Sequence, residues 1–201
     1  MATSAERGHH VRTRLLHAAA ELVAEQGWNA VSTRMVAERA GVGPGLVHYH
    51  FASLPALLTE AALQVMENVV DSAADALDRA RTAPQALDLL LADLDHYPGD
   101  DPASRLISEA MLTATRNQAL RTAMADLLDR FRTRLTDRLQ AQGVPDPRRT
   151  AAVLAAAVDG MMLHRTLDPA LTSAAVTPVL TRLIPTDPTA QQGPQEPEGH
   201  R

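Results

Sequence analysis

The stretch STRMVAERAGVGPGLVHYHFASLPALL, residues 32–58, decides the fold of the first part of this 201-residue chain. Ser32 is a residue that caps helices, and apolar residues then recur at helical spacing as far as Ala40. Gly41 follows where the helix must end, because glycine adopts positive φ without a Cβ clash. Pro44 suits the first position of a second, shorter helix. Two short helices joined by a glycine-containing turn predict a helix-turn-helix that binds DNA.

Residues 12–58 resemble the N-terminal domain of the TetR family of bacterial transcriptional regulators. The resemblance rests on Glu25-Gln26-Gly27-Trp28, Ser32-Thr33, Val36-Ala37, Ala40-Gly41-Val42, the closing run His48-Tyr49-His50-Phe51, and Ser53. It implies a homodimeric regulator, typically a repressor, whose heads bind the two half-sites of a near-palindromic double-stranded DNA operator. It also implies a C-terminal bundle that binds a small-molecule effector and shifts the spacing of the heads.

The resemblance also implies which residues face the DNA. The outward positions are Thr33, Pro44, Gly45, Leu46, His48, Tyr49 and His50. Thr33 and His48 correspond to phosphate contacts, and the others to residues that reach base edges in the major groove. The chain departs from the family pattern at two positions. His48 stands where tyrosine is usual, and Leu54 replaces a lysine that commonly contacts phosphate.

The charge of the chain is unevenly distributed. Residues 1–60 hold five Arg and five Glu, so the remaining residues carry the whole net charge of -5. Within the first part, Arg7, Arg12 and Arg14 have no acidic neighbour between residues 7 and 17. We interpret them as a short basic arm that contacts phosphates beside the helix-turn-helix.

The composition favours helices packed through small and branched side chains, because aromatic residues are only 2% of the sequence. The sequence contains no cysteine, which excludes disulfides and thiolate chemistry. No apolar run is long enough for a membrane span and no signal peptide is evident, so we expect a cytoplasmic protein. We expect no cofactor.

Hydrophobic periodicity and breaker residues predict an all-α chain of about nine helices. The first runs over 9–26, the fourth over about 54–81, and the others begin near Pro84, Pro102, Asn117, Pro147 and Leu171. We divide the chain into a DNA-binding domain (1–53), an effector-binding and dimerisation domain (54–184), and a polar, proline-rich disordered tail (185–201).

Two further sites are predicted in the second domain. A mostly apolar, neutral or cationic effector would contact residues on the apolar stripes and a few polar neighbours: Met66, Met111, Met124, Phe131, Met162, His96, Tyr97 and His164. The eighth helix is apolar nearly all round, and its small residues allow close approach of a second helix. We therefore expect Ala156, Gly160 and Leu163 at a dimer interface, although burial within one chain would also account for this pattern.

Other chemistry finds little support in the sequence. His48 and His50 lie two residues apart on a helix and point in different directions, so they do not form a metal site. Asp93-x-Asp95 and Asp100-Asp101 are interpreted as solvated residues, and no nucleophile, paired carboxylate or phosphate loop indicates an enzyme. The alternative is a helical ligand-binding or enzymatic bundle whose head no longer binds DNA.

Overall fold

A computed structural model describes residues 4–184, and every regular element among them is helical. The nine α-helices are α1 (Ser4–Gln26), α2 (Thr33–Ala40), α3 (Pro44–His50), α4 (Leu54–Arg79), α5 (Ala83–Leu94), α6 (Pro102–Ala114), α7 (Gln118–Ala141), α8 (Pro147–His164) and α9 (Ser173–Leu180). Short 3₁₀ turns lie at Trp28–Ala30 and Thr181–Leu183. The all-α prediction is confirmed. The ninth helix is shorter than predicted, and the predicted tail lies outside the described residues.

Side chains cap six of the nine described α-helices, and four of these caps are at residues that the sequence predicts. Ser32 accepts a hydrogen bond from the Met35 amide at 3.3 Å, and Ser53 accepts one from the Ala56 amide at 3.2 Å. Gly41 ends α2 in the left-handed conformation at φ 63°, as its position in the sequence indicates. These residues fix the start and the end of α2 and the start of α4.

The N-terminal head, which consists of α1, α2 and α3, is held together by a fully buried cluster. Leu15 of α1, Val36 of α2 and Val47 of α3 are at most 1% exposed. Helix α1 also packs against α4 and α6, so the head is joined to the following helices over a wide surface. Burial of each such side chain contributes about 1.5–3 kcal/mol to folding.

Helices α4 to α9 form the bundle. Helix α4 spans both parts: Leu57 and Leu58 in its first turns are buried in the core, while Val69 and Ala73 further along face the bundle. Helix α7 packs against α8, and α9 packs against α5. None of the described helices is long and apolar enough to cross a membrane.

A buried arginine ties three helix ends together. Arg165, only 5% exposed, donates to the backbone oxygens of Leu94 and Leu171 and to the Asp95 carboxylate at 2.5 Å. Burial raises the pKa of Asp95, but hydrogen bonds from Ser173 and Arg165 outweigh this effect and hold that pKa below its ordinary value. The prediction that Asp95 is merely solvated is therefore wrong. It holds the charge that balances a buried guanidinium.

Candidate DNA-binding head and effector cavity

Helix α3 presents an exposed surface at the end of the head. Pro44, Gly45, Leu46, His48 and Tyr49 are all exposed, whereas Val47 between them is buried and anchors the helix. This alternation arises because α3 has seven residues and packs one face against α2. The exposed residues therefore form a single protruding surface.

Tyr49 dominates this surface. It is 80% exposed, and its ring meets the half-buried His50 ring edge-on, with centroids 4.9 Å apart. The contact orients both rings without burying the phenol hydroxyl. Thr33 lies half-buried at the start of α2. The seven positions that the family resemblance implies thus include five exposed and two half-buried residues.

Residues 7–17, which include the predicted basic arm, all belong to α1, and two of the three arginines of that arm have partners within the protein. Arg14 donates to the carbonyl oxygens of Ala40 and Gly41, at 3.1 Å for Gly41. Arg12 pairs with Glu60 and lies over the Phe51 ring, 4.9 Å from its centroid. The helix extends through Gly8 to Ser4.

A third arginine is also engaged. Arg39 at the end of α2 pairs with Glu25 at 2.6 Å and with Glu21 at 3.3 Å, both on α1. The hydrogen bond from Arg39 lowers the pKa of Glu25, and the two carboxylates raise the pKa of Arg39. Within the described chain, Arg7 and Arg34 are the head arginines for which neither an ion pair nor a side-chain hydrogen bond is found.

A cavity of about 70 Å³ lies in the bundle between α4, α5, α7 and α8. Its walls are mostly apolar and include Val69, Val70, Ala73, Leu90, Leu94, Leu128, Phe131, Ala155, Val158 and Met162. Three polar side chains, Asp93, Tyr97 and Asp159, complete the lining. Such a combination of apolar walls and a few polar groups is typical of small-molecule sites.

The cavity brings together only some of the residues predicted to bind an effector. Tyr97, Phe131 and Met162 line it. Met66 and Met124 are buried in the core elsewhere, and Met111, His96 and His164 are exposed. The predicted inward position of Met111 is wrong, because the buried face of α6 runs through Leu106, Ile107, Ala110 and Ala114 and leaves Met111 outside it.

Burial acts on two polar groups of the cavity. It raises the pKa of Asp159, although the nearby Arg132 guanidinium partly offsets this. Burial also raises the pKa of Tyr97, with a smaller contribution from the charge of Asp93. Asp93 accepts a hydrogen bond from the Ser72 hydroxyl at 2.8 Å, so the prediction that it is merely solvated is wrong.

Two structural connections join the bundle to the head. Helix α4 passes without a break from the core beside α1 to the cavity wall. In addition, the Glu109 carboxylate of α6 accepts a hydrogen bond at 3.0 Å from the Trp28 amide, just after α1. The bundle and the head therefore share contacts through both α4 and α6.

Helix α8 is not buried on every side within one chain, so burial within the chain does not account for its apolar pattern. Val153 is 55% exposed and Leu163 is 40% exposed, and Ala156 is exposed as well. Together with Gly160 they recur every three or four residues, which is the spacing of one helical face. No atom beyond the helix's own backbone and its chain neighbours lies within 4 Å of the position that a Cβ on Gly160 would occupy.

Sequence reasoning missed several residues of these sites. Asp159 is an acidic residue within the otherwise apolar run of α8, and this was the available signal for a cavity carboxylate. Asp93 could not be recognised, because an aspartate near the end of a helix usually faces solvent. Glu109 carried no local signal, since its partner Trp28 lies 81 residues away.

Both the head and the bundle match known protein families. Residues 15–61 match the family described as bacterial regulatory proteins, tetR family, and residues 59–186 match the tetracyclin repressor-like C-terminal domain. The transcriptional regulator BetI of Rhizobium meliloti (strain 1021) is 28% identical over 174 residues, which cover 85% of each chain.

Solved structures of related proteins are also similar to this chain over most of its length. A transcriptional regulator from Streptomyces coelicolor A3(2) is 29% identical, with a TM-score of 0.74 over 87% of this chain and 98% of the other. The multidrug binding protein EbrR, solved in complex with imidazole, is 31% identical, with a TM-score of 0.68 over 90% of this chain and 98% of the other. The helix-turn-helix head, the bundle and these matches agree, and the chain belongs to the TetR family and is a DNA-binding transcriptional regulator.

Proposed function

We propose that the protein is a homodimeric repressor whose heads bind the two half-sites of an operator and which a small effector releases from DNA. The observation that carries this proposal is the continuity of α4 from the head to the cavity wall. A ligand that fits between Val69 of α4 and Phe131 of α7 would favour one position of α4. Because the first turns of α4 are packed against α1, the head would follow.

The exposed face of α8 supports the dimer. Val153, Ala156, Gly160 and Leu163 present apolar or small groups to solvent, and the same patch on a second copy would be self-complementary across a two-fold axis. Val179 of α9, which is 58% exposed, would add to the buried area. Two heads fixed on such a dimer would bind half-sites in successive turns of the major groove.

The apolar cavity supports a small, largely apolar effector. The imidazole complex of EbrR, which is similar over 90% of this chain, is a precedent for a small ring compound in this fold. Tyr97 and the two cavity aspartates would orient the ligand, while Leu90, Phe131 and Met162 would bury it.

The proposed function is tested by selecting operators from a random pool of duplexes and measuring their affinity by gel shift or fluorescence anisotropy. We expect enrichment of a near-palindromic sequence that binds one dimer at nanomolar concentration in moderate salt. Enrichment of no sequence, or of half-sites bound by monomers, would contradict a dimeric repressor.

The arginines of the head are expected to divide into two roles. Arg34 is exposed beside Thr33 at the start of α2. Arg34→Ala should therefore weaken binding to all DNA sequences about equally, and it should reduce the slope of log affinity against log salt concentration by about one per head. Arg14 is held by the carbonyl oxygens of Ala40 and Gly41, so Arg14→Ala should mainly lower the unfolding free energy, by roughly 0.5–1.5 kcal/mol. Salt titrations of DNA binding and chemical denaturation of both variants measure these two effects. A salt slope that changes for Arg14→Ala alone would show that Arg14 contacts phosphate.

A further inference from the structure

We propose that the cavity binds a small organic cation, with the Asp159 carboxylate as its counter-ion and Asp93 and Tyr97 as further polar contacts. The proposal rests on the proposed function, because it specifies the chemical class of the effector. The proposal is based on the charge of the cavity lining. Two carboxyl groups and a phenol line the cavity, and no arginine, lysine or histidine does.

Asp159 is half-buried and has no side-chain partner among the described residues. No hydrogen bond or ion pair to its side chain is found within residues 4–184. A carboxylate withdrawn from water is costly unless it is paired and hydrogen-bonded. Asp93, by contrast, is satisfied on one oxygen by Ser72. The unpaired Asp159 carboxylate is therefore the group for which a cationic ligand would offset the cost.

Arg132 does not replace such a ligand. Its guanidinium acts on Asp159 through space, but no salt bridge within 4.0 Å joins the two side chains in the described chain. Arg132 lines a different groove, on the outer side of α7 and α8, together with Asp129 and Arg148. The side of Asp159 that faces the cavity is left to the apolar walls and to Tyr97.

The size of the cavity limits the ligand. A volume of about 70 Å³ corresponds to roughly five water-sized spheres. A cation with about five non-hydrogen atoms, with alkyl groups against Leu90 and Met162 and its ammonium group toward Asp159, matches both the size and the lining. Phe131 lines the same cavity, and an aromatic ring can attract a cation placed over its face.

The decisive experiment compares two probes of equal shape, the tert-butylammonium ion and neutral tert-butanol, by ligand-observed NMR titration of the full-length protein. We expect the cation to bind wild type roughly 10- to 100-fold more tightly than the alcohol, which is the range for a charge-assisted hydrogen bond. Asp159→Asn should abolish this preference and leave binding of the alcohol unchanged. Asp88→Asn, which removes the same charge from an exposed position on α5, should keep the preference.

Three results of the titration would contradict different parts of the proposal. Equal binding of the two probes by wild type, with displacement of operator DNA by both, would overturn the cation proposal and leave the effector site standing. Binding of neither probe, together with unchanged operator affinity, would count against both the cation and the cavity as an effector site. A preference that survives in Asp159→Asn but is lost in Asp93→Asn would assign the counter-ion to Asp93 and overturn the role of Asp159.

The stability of the ligand-free protein gives an independent readout. Because burial raises the pKa of Asp159 in the folded state, its ionisation lowers stability at neutral pH. This loss is fully present above the raised pKa and disappears as the pH falls below the pKa of the unfolded chain. The charged and titratable groups that face Asp159 are Asp93 of α5, Tyr97 in the segment after α5, and Arg132 of α7.

Asp159→Asn should therefore melt at a higher temperature than wild type at pH 7, and the difference should shrink as the solution is acidified. Saturation with tert-butylammonium should raise the melting temperature of wild type more than that of the variant. A variant that melts lower than wild type at pH 7 would show that Asp159 already has a stabilising partner, and the proposal would be wrong.

Discussion

Replacing Gly160 by leucine is expected to convert the protein to a monomer and to weaken operator binding by roughly 10²- to 10⁴-fold. The size of the loss follows from linkage of two heads, because a dimer binds its second half-site at a high effective concentration. Within one chain a leucine at this position is tolerated, since the nearest side chains leave the site open. The added side chain would instead collide with the partner helix, twice across the two-fold axis.

Sedimentation and thermal melting separate this explanation from a general loss of folding. Gly160→Leu should retain its helix content and a cooperative melting transition while its sedimentation coefficient falls to that of a monomer. Ala92→Leu, which adds a leucine at an exposed position of α5, is the matched control and should remain dimeric. A dimeric Gly160→Leu protein with wild-type operator affinity would show that this face of α8 is not the interface.

Replacing Tyr49 by alanine is expected to cost roughly 2–6 kcal/mol of operator binding for the dimer. A side chain that contacts a base contributes about 1–3 kcal/mol, and the two heads each lose one. The ring is 80% exposed in the free protein, so its removal should change the unfolding free energy by no more than about 0.5 kcal/mol. Affinity for the selected operator and for a scrambled duplex, both at fixed salt, measures the loss and the change in specificity.

Two further variants define what Tyr49 contributes. Tyr49→Phe keeps the ring and its edge-on contact with His50, so it isolates the hydrogen bond of the hydroxyl. Leu167→Ala removes a side chain of similar exposure from the bundle and should leave DNA binding unchanged. If Tyr49→Ala binds the operator as wild type does, α3 does not use its most exposed residue to contact DNA, and the proposed orientation of the head on the operator is wrong.

The engaged arginines change how the head is expected to meet DNA. Arg12, Arg14 and Arg39 stabilise the angles between α1, α2 and α4 through ion pairs and backbone oxygens. Few positive charges remain for phosphates, so the salt dependence of binding should be shallow for a dimer of this size. Much of the affinity would then come from contacts of α3 in the major groove, as the expected effect of Tyr49→Ala implies.

The sequence by itself determined the helices and the head. Helix starts and stops depend on residues a few positions apart, such as Ser32 with Met35 and Gly41 after Ala40, so they can be recognised without knowing the fold. The helix-turn-helix combines such local signals at short spacing. For the same reason the start of α1 was placed too late: Gly8 is a local signal for a break, yet the helix continues through it to Ser4.

Only the tertiary structure decided which side chains meet. The cavity joins Val69, Asp93, Phe131 and Asp159 from four helices, and no periodic pattern specifies which residue of each stripe faces an empty space. Exposure of Met111 depends on a rotation of α6 by a fraction of a turn, which its neighbours set. The roles of Arg14, Asp95 and Glu109 likewise depend on partners 26 to 81 residues away. Local propensity acts over a few residues, whereas packing selects these distant contacts through shape and charge, and that selection exists only in the folded chain.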